Sequence, residues 1–289
     1  MALGANTTAD NNTAVGSAAL AANTTGNSNV AVGTNALDAN TTASYNIGIG
    51  RDALGVNTTG ANNIAIGHEA LDANTTADNN TAVGYMALSA NTTGDQNVAI
   101  GATSLQVNTT GRNNIAIGHG ALVANTTANQ NVAIGPASLD ANTTGAGNIG
   151  IGYGALSGNT TASNNVAVGD MAMVANTTGA NSVAIGATAL DAQTTGGNNV
   201  AIGHGSMTAQ TTGEFNVAVG RASLASSTTA VANVAVGDAA LNSKTGNNNT
   251  GVGYAALYSN TTGTQNTAIG RDAMEDNTTG ADNVAVGYS

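Results

Sequence analysis

Apolar and polar positions recur along this chain with a period of 17 residues, not with the 3.6-residue period of a helix. Each unit reads Asn-Val-Ala-Ile-Gly-x-x-Ala-Leu-x-x-Asn-Thr-Thr-Gly-x-x. The glycine closing each Val/Ile-Ala-Val/Ile-Gly block falls at 17 positions, from Gly16 and Gly33 to Gly270 and Gly287. Fifteen of the 16 intervals are 17 residues long. The interval from Gly237 to Gly253 is 16, because Ser243-Lys244-Thr245-Gly246 has one threonine fewer than Asn-Thr-Thr-Gly. A fixed period without linkers predicts one stacked-repeat domain over 1–289.

The residue before the glycine is Val or Ile in all 17 units, and Val, Ile or Thr stands two residues earlier. Strand side chains alternate, so these two share a face, and the Ala between them (Gly at Gly48, Gly150 and Gly251) lies on the other. Leu follows four residues after the glycine, with Met at Met173, Met207 and Met274. The expectation is that the Val/Ile and Leu columns close a narrow core. The small Ala/Gly face is then left as a close-packed oligomer interface, threefold in symmetry. Gly, Asn-Thr-Thr turns and β-branched residues leave no stretch for a helix. A 17-residue coil fits two short strands and two turns, stacked in parallel at ~4.8 Å per rung, or roughly 80 Å for the whole stack. The predicted class is all-β: a parallel β-roll or β-solenoid of about seventeen 17-residue rungs.

Asparagine opens the strand in 16 of 17 units, with Ser182 the exception. A second asparagine precedes Thr-Thr from Asn6 to Asn277, and becomes Gln193, Gln210, Ser227 or Lys244 late in the chain. Stacked amides predict ladders from rung to rung, and Asn tolerates the left-handed backbone of tight corners.

Asn-Val-Ala-Ile-Gly followed by Ala-Leu and Asn-Thr-Thr-Gly resembles the head repeats of trimeric autotransporter adhesins. It is also similar to the repeats of phage and bacterial tail-fibre proteins. The resemblance covers the whole chain, though the familiar adhesin heads use shorter repeats. It implies a left-handed, homotrimeric roll in an extracellular, cell-surface or virion fibre that spaces or presents a binding surface. Implied partners are further copies of the chain and a host cell surface or matrix. The evenness of the repeats leaves two other readings: a self-assembling surface or matrix filament, and an ice-binding solenoid that uses the threonines.

Composition narrows the chemistry. The chain has 39 Gly, 1 Pro, no Cys and no Trp in 289 residues, with 7% charged. Absent cysteine removes disulfides, thiolate metal sites and cysteine nucleophiles. A formal charge of −11 gives no driver for nucleic acid or an anionic membrane. No apolar run approaches the ~20 residues of a membrane span. The start carries no signal-peptide pattern, and both ends fall in mid-pattern, which suggests a segment of a longer fibrous protein.

His68, His119 and His204 all follow the closing glycine, in a column shared with Arg51, Arg221, Arg271, Tyr85, Tyr153, Tyr254, Tyr288, Asp170 and Asp238. Such variety predicts a solvent-facing ridge, and the histidines lie too many rungs apart to share a metal. Asp38, Asp72, Asp140 and Asp191 share the column after Leu, and Glu275-Asp276 is a local pair in a turn; a solvating role is expected for all. The glycines open no helix, so no phosphate loop or dinucleotide fold is supported. The expectation is therefore no catalytic, cofactor-binding or metal-binding residue, no cofactor and no enzymatic activity. Asn-Thr-Thr occurs 13 times, each formally a glycosylation sequon and here read as a turn.

Overall fold

The computed structural model describes residues 1–243 and 245–289; the Lys244 member of the asparagine column lies outside the described residues. The chain forms two compact units, Met1–Ala146 and Gly147–Ser289. The first holds β1 (Thr13–Val15), β2 (Val30–Val32), β3 (Ile47–Ile49), β4 (Ile64–Ile66), β5 (Thr81–Val83), β6 (Val98–Ile100), β7 (Ile115–Ile117) and β8 (Val132–Ile134). The second holds β9 (Ile149–Ile151), β10 (Val166–Val168), β11 (Val183–Ile185), β12 (Val200–Ile202), β13 (Val217–Val219), β14 (Val234–Val236), β15 (Thr250–Val252), β16 (Thr267–Ile269) and β17 (Val284–Val286). Within each unit every strand pairs in parallel with the next, in repeat register: Ile47 opposite Ile64 and Val200 opposite Val217. The result is an all-β solenoid.

Each rung has one three-residue strand, not the two predicted; the rest of the coil is turn. Rung-on-rung bonding nevertheless continues through the turns. The Leu20 N–H donates to the Ala36 carbonyl at 2.9 Å, and the Thr24 N–H to that of Thr41 at 2.9 Å. These ladders satisfy backbone groups that a turn would otherwise leave to water.

The two strand faces are reversed from expectation. The middle alanines, such as Ala31, Ala65, Ala116 and Ala133, are fully buried inside a single chain, while Ile49, Ile66 and Ile100 are 37–38% exposed. Space dictates this. The leucine side chain fills the coil opposite the strand, so only a methyl group or a hydrogen fits between them. A Cβ built on Gly48 would lie 3.2 Å from Leu37 Cγ. A valine at that position would have to displace leucine, so the branched residues turn outward. The Ala/Gly column is consequently core and not an interface.

Left-handed backbone makes the coil close. The leucine column lies at φ near +52°, from Leu20 (52°) to Leu241 (50°). This conformation costs roughly 1–2 kcal/mol per residue, offset by the ~2–3 kcal/mol of burying each leucine. Asn62, Asn79 and Asn113, just before the strand-opening asparagine, lie at φ 57–61°, where asparagine is better tolerated. The glycine after the strand has no substitute. Gly50 sits at φ 136°, and a Cβ there would lie 2.4 Å from the Gly67 carbonyl oxygen one rung on.

The two asparagine columns bind the interior together. In the turn column the Asn40 amide donates to Asn23 Oδ1 at 2.9 Å, and the Asn74 amide to Asn57 Oδ1 at 2.8 Å. In the strand-opening column the oxygen accepts backbone instead, as from the Asn46 N–H to Asn29 Oδ1 at 2.9 Å. The two columns meet on one carbonyl: Ala43 O accepts from the amides of both Asn29 and Asn40. All of these amides are fully buried. A buried amide is favourable only when it is bonded this completely.

Candidate functional site

Three outward features could carry function: the strand face, the threonine rank and the ridge after the glycine. The strand face of each unit presents two files of Val, Ile and Thr, one residue of each file per rung. In the first unit, eight rungs at ~4.8 Å spacing and ~10 Å width make a band of roughly 400 Å², the size of the largest apolar patch on an ordinary monomer, which is often functional. Six of the seven aromatics stand in the columns that border this strand. Tyr85, Tyr153, Tyr254 and Tyr288 follow it, and Tyr45 and Phe215 precede it.

The paired threonines divide their work. The first hydroxyl donates to the backbone of the next rung, as from Thr24 to Thr41 O at 3.0 Å and from Thr92 to Thr109 O at 3.1 Å. The second, from Thr25 and Thr42 to Thr127 and Thr144 in the first unit, is exposed. One outward threonine rank results, because the first threonine of each pair is turned to the backbone of the next rung. The asparagines of these triplets from Asn23 to Asn176, and Asn260, are fully buried, so the folded chain offers a glycosyl-transferring enzyme no free amide there.

The ridge after the glycine is solvent-facing at His119 and His204 but not uniform. At the Gly50 and Gly67 rungs, Arg51, Asp52, His68 and Glu69 converge. One ligand atom from each of Asp52, His68 and Glu69 lies within 4.8 Å of the others. His68 Nε2 is 3.6 Å from Glu69 Oε1 and also touches the Arg51 guanidinium. Arg51 reaches Asp52 at 3.6 Å and Glu69 at 4.0 Å. Tyr85 stacks on the imidazole at 5.6 Å between ring centres, and the Asn35 amide holds Asp52 Oδ1 at 2.9 Å. The sequence reading missed this group because it compared histidines with one another. Laying consecutive rungs side by side would have placed Arg51-Asp52 over His68-Glu69. Elsewhere each arginine pairs with a carboxylate: Arg112 with Asp95, Arg221 with Asp238 and Arg271 with Asp272.

Burial pushes the carboxyls of Asp38, Asp72, Asp140 and Asp191 above the ordinary value. Asp72 is raised further by the charges of Asp52, Glu69 and Asp38, against a smaller lowering by His68. These aspartates therefore do more than face solvent, and Asp191 Oδ1 is buried with no hydrogen-bond partner. Glu275 and Asp276 line an open cleft of about 460 Å³ with Met274, Val286 and Tyr288.

Neither the models of known protein families nor the curated proteins yield a match to this chain. The functional reading accordingly rests on the geometry.

Proposed function

We propose that this chain is a non-enzymatic structural fibre segment, an extracellular adhesin-like or tail-fibre-like rod that spaces or presents a binding surface. The observation that carries the reading is that each coil's interior is filled by its own alanines, leucines and bonded amides, while the outward strand face is an apolar band. A filled interior leaves no room for a substrate, and repeated outward columns suit a long, uniform contact. Copies of the chain associate through the Val/Ile files as a homotrimer, which removes those side chains from water. End-to-end stacking into a surface or matrix filament is the same chemistry extended along the strand-pairing direction.

Light scattering with negative-stain imaging tests this. The expected species is a short rod of three chains that dissociates when Val132 and Ile134 are both replaced by lysine. Long filaments would make self-assembly itself the function, and a monomer at high concentration would overturn the association. The exposed threonine rank favours one competing reading, ice binding, which thermal hysteresis would reveal and which a fibre segment should not show.

A further inference from the structure

We propose that Asp52, His68 and Glu69 form a binding site for one divalent transition-metal ion of the zinc class, linking two consecutive rungs. One imidazole and two carboxylates suit such ions, which take nitrogen at about 2.0–2.1 Å and oxygen at about 2.0–2.2 Å. Ligand atoms around a tetrahedral ion of that size stand ~3.3 Å apart. His68 Nε2 and Glu69 Oε1 are already 3.6 Å apart. Bringing in Asp52 takes a closure of at most ~1.5 Å by half-buried side chains, given the 4.8 Å limit of the group.

Two neighbours outside the ligand set hold it in shape. Asn35 occupies one oxygen of Asp52 and leaves the other, Oδ2, turned to Arg51. Tyr85 fixes the imidazole plane. Such outer contacts are what keep metal ligands oriented. The backbone beneath is pinned as well, with the Glu69 N–H bonded to Arg51 O at 3.0 Å.

Charge calls for a cation here. The charges of Asp38, Asp52 and Glu69 all bear on the neighbouring Asp72, and Arg51 is the single guanidinium in contact with Asp52 and Glu69. Arg51 stands where the ion would bind, touching Asp52, His68 and Glu69, yet its own side chain is 59% exposed. An exposed arginine pair is a weak competitor and swings out readily. His119 and His204 have no such neighbours; in their own and adjacent rungs the columns hold Ala102, Gly120, Pro136, Ala187, Gly205 and Arg221.

The test is calorimetric titration of the full chain with Zn²⁺, with Co²⁺ absorption as a second readout and melting temperature as a third. One equivalent should bind saturably and raise the melting temperature. His68→Gln and Asp52→Asn should each abolish that equivalent, Asn35→Ala should weaken it about tenfold, and His119→Ala should leave it unchanged. Arg51→Ala should tighten it, because the competitor is gone. Circular dichroism of each variant separates loss of binding from loss of fold. Absent saturation in the wild-type chain, or equal binding by His68→Gln, overturns the site.

Discussion

The turn ladder of the first unit and its counterpart in the second solve one problem with different chemistry. From Asn40 to Asn142 every member is asparagine, and each amide bonds both the previous rung's oxygen and a turn carbonyl, as Asn108 does with Asn91 and Gly111. At residues 193, 210, 227 and 244 the column is substituted, and asparagine returns at Asn260 and Asn277. The Gln193 amide still donates to Asn176 Oδ1 at 3.2 Å, and its Oε1 accepts from the Asn199 amide. Gln210 bonds Ala230 O, but its Oε1 is buried with no partner, because Ser227 on the next rung has no amide to offer. At the shortened unit, Thr245 Oγ1 accepts from both Asn260 and Asn249. A ladder tolerates a changed side chain when an acceptor stays in reach. It fails where the donor is lost.

The largest break is therefore expected in the regular stretch. Asn91→Ala strands the Asn74 oxygen and leaves the Asn108 amide bonded to Gly111 alone, which should cost about 3 kcal/mol, ~1–3 kcal/mol for the stranded oxygen and ~1 kcal/mol for the lost bond. Gln210→Ala removes an oxygen that is already unpartnered and should cost about 1 kcal/mol. Urea unfolding of the two variants measures the gap; equal losses would erase the distinction between the stretches. Ser227→Asn sharpens the comparison from the other side. It supplies the missing donor to Gln210 and should stabilise by about 1 kcal/mol, whereas a loss of stability would show that the pocket admits no amide.

The smallest effect is electrostatic. A carboxyl whose folded pKa lies above its ordinary 3.8 holds its proton more tightly folded than unfolded. Stability from that group then falls as pH rises from 3.8 through the folded value, and the penalty is complete above it. Asp72 in the first unit is raised by burial plus three neighbouring charges, and Asp191 in the second is raised by burial against the opposing backbone N–H groups of Asp191 and Ala192. Asp72→Asn should stabilise the chain at pH 7 and flatten the acid side of the melting-temperature profile, with Asp191→Asn doing the same more weakly. Identical profiles for Asp72→Asn and wild type would remove the charge contribution.

Much of the fold was legible in the sequence. The period placed each three-residue strand correctly, from Thr13–Val15 to Val284–Val286, and the asparagine ladders follow from the repeat. The inside and outside of the strand were misread because Val and Ile were assigned to the core on hydrophobicity alone. The alternation itself held the answer. Asn29 shares a face with Ala31, and both are buried, so the interior is the small, amide-bearing face, and its large apolar groups come from the leucine column, with Met at Met173 and Met207. The second strand failed to form because the left-handed positions at Leu and two residues after Gly keep that arc coiled, as at Leu88 and Met86. The charged cluster was not legible along the chain, since Asp52 and Glu69 meet only through stacking.

Inward alanine and outward isoleucine form the central claim, and cysteine protection tests it most directly in a chain with no native cysteine. Ala133→Cys and Ile115→Cys should be labelled with a thiol reagent at a dilution where scattering reports single chains. The fully buried Ala133 position should react only as fast as the chain unfolds, and the Ile115 position, 37% exposed, should react at once. Rapid labelling of Ala133→Cys in the folded chain, with Ile115→Cys protected, would contradict the account.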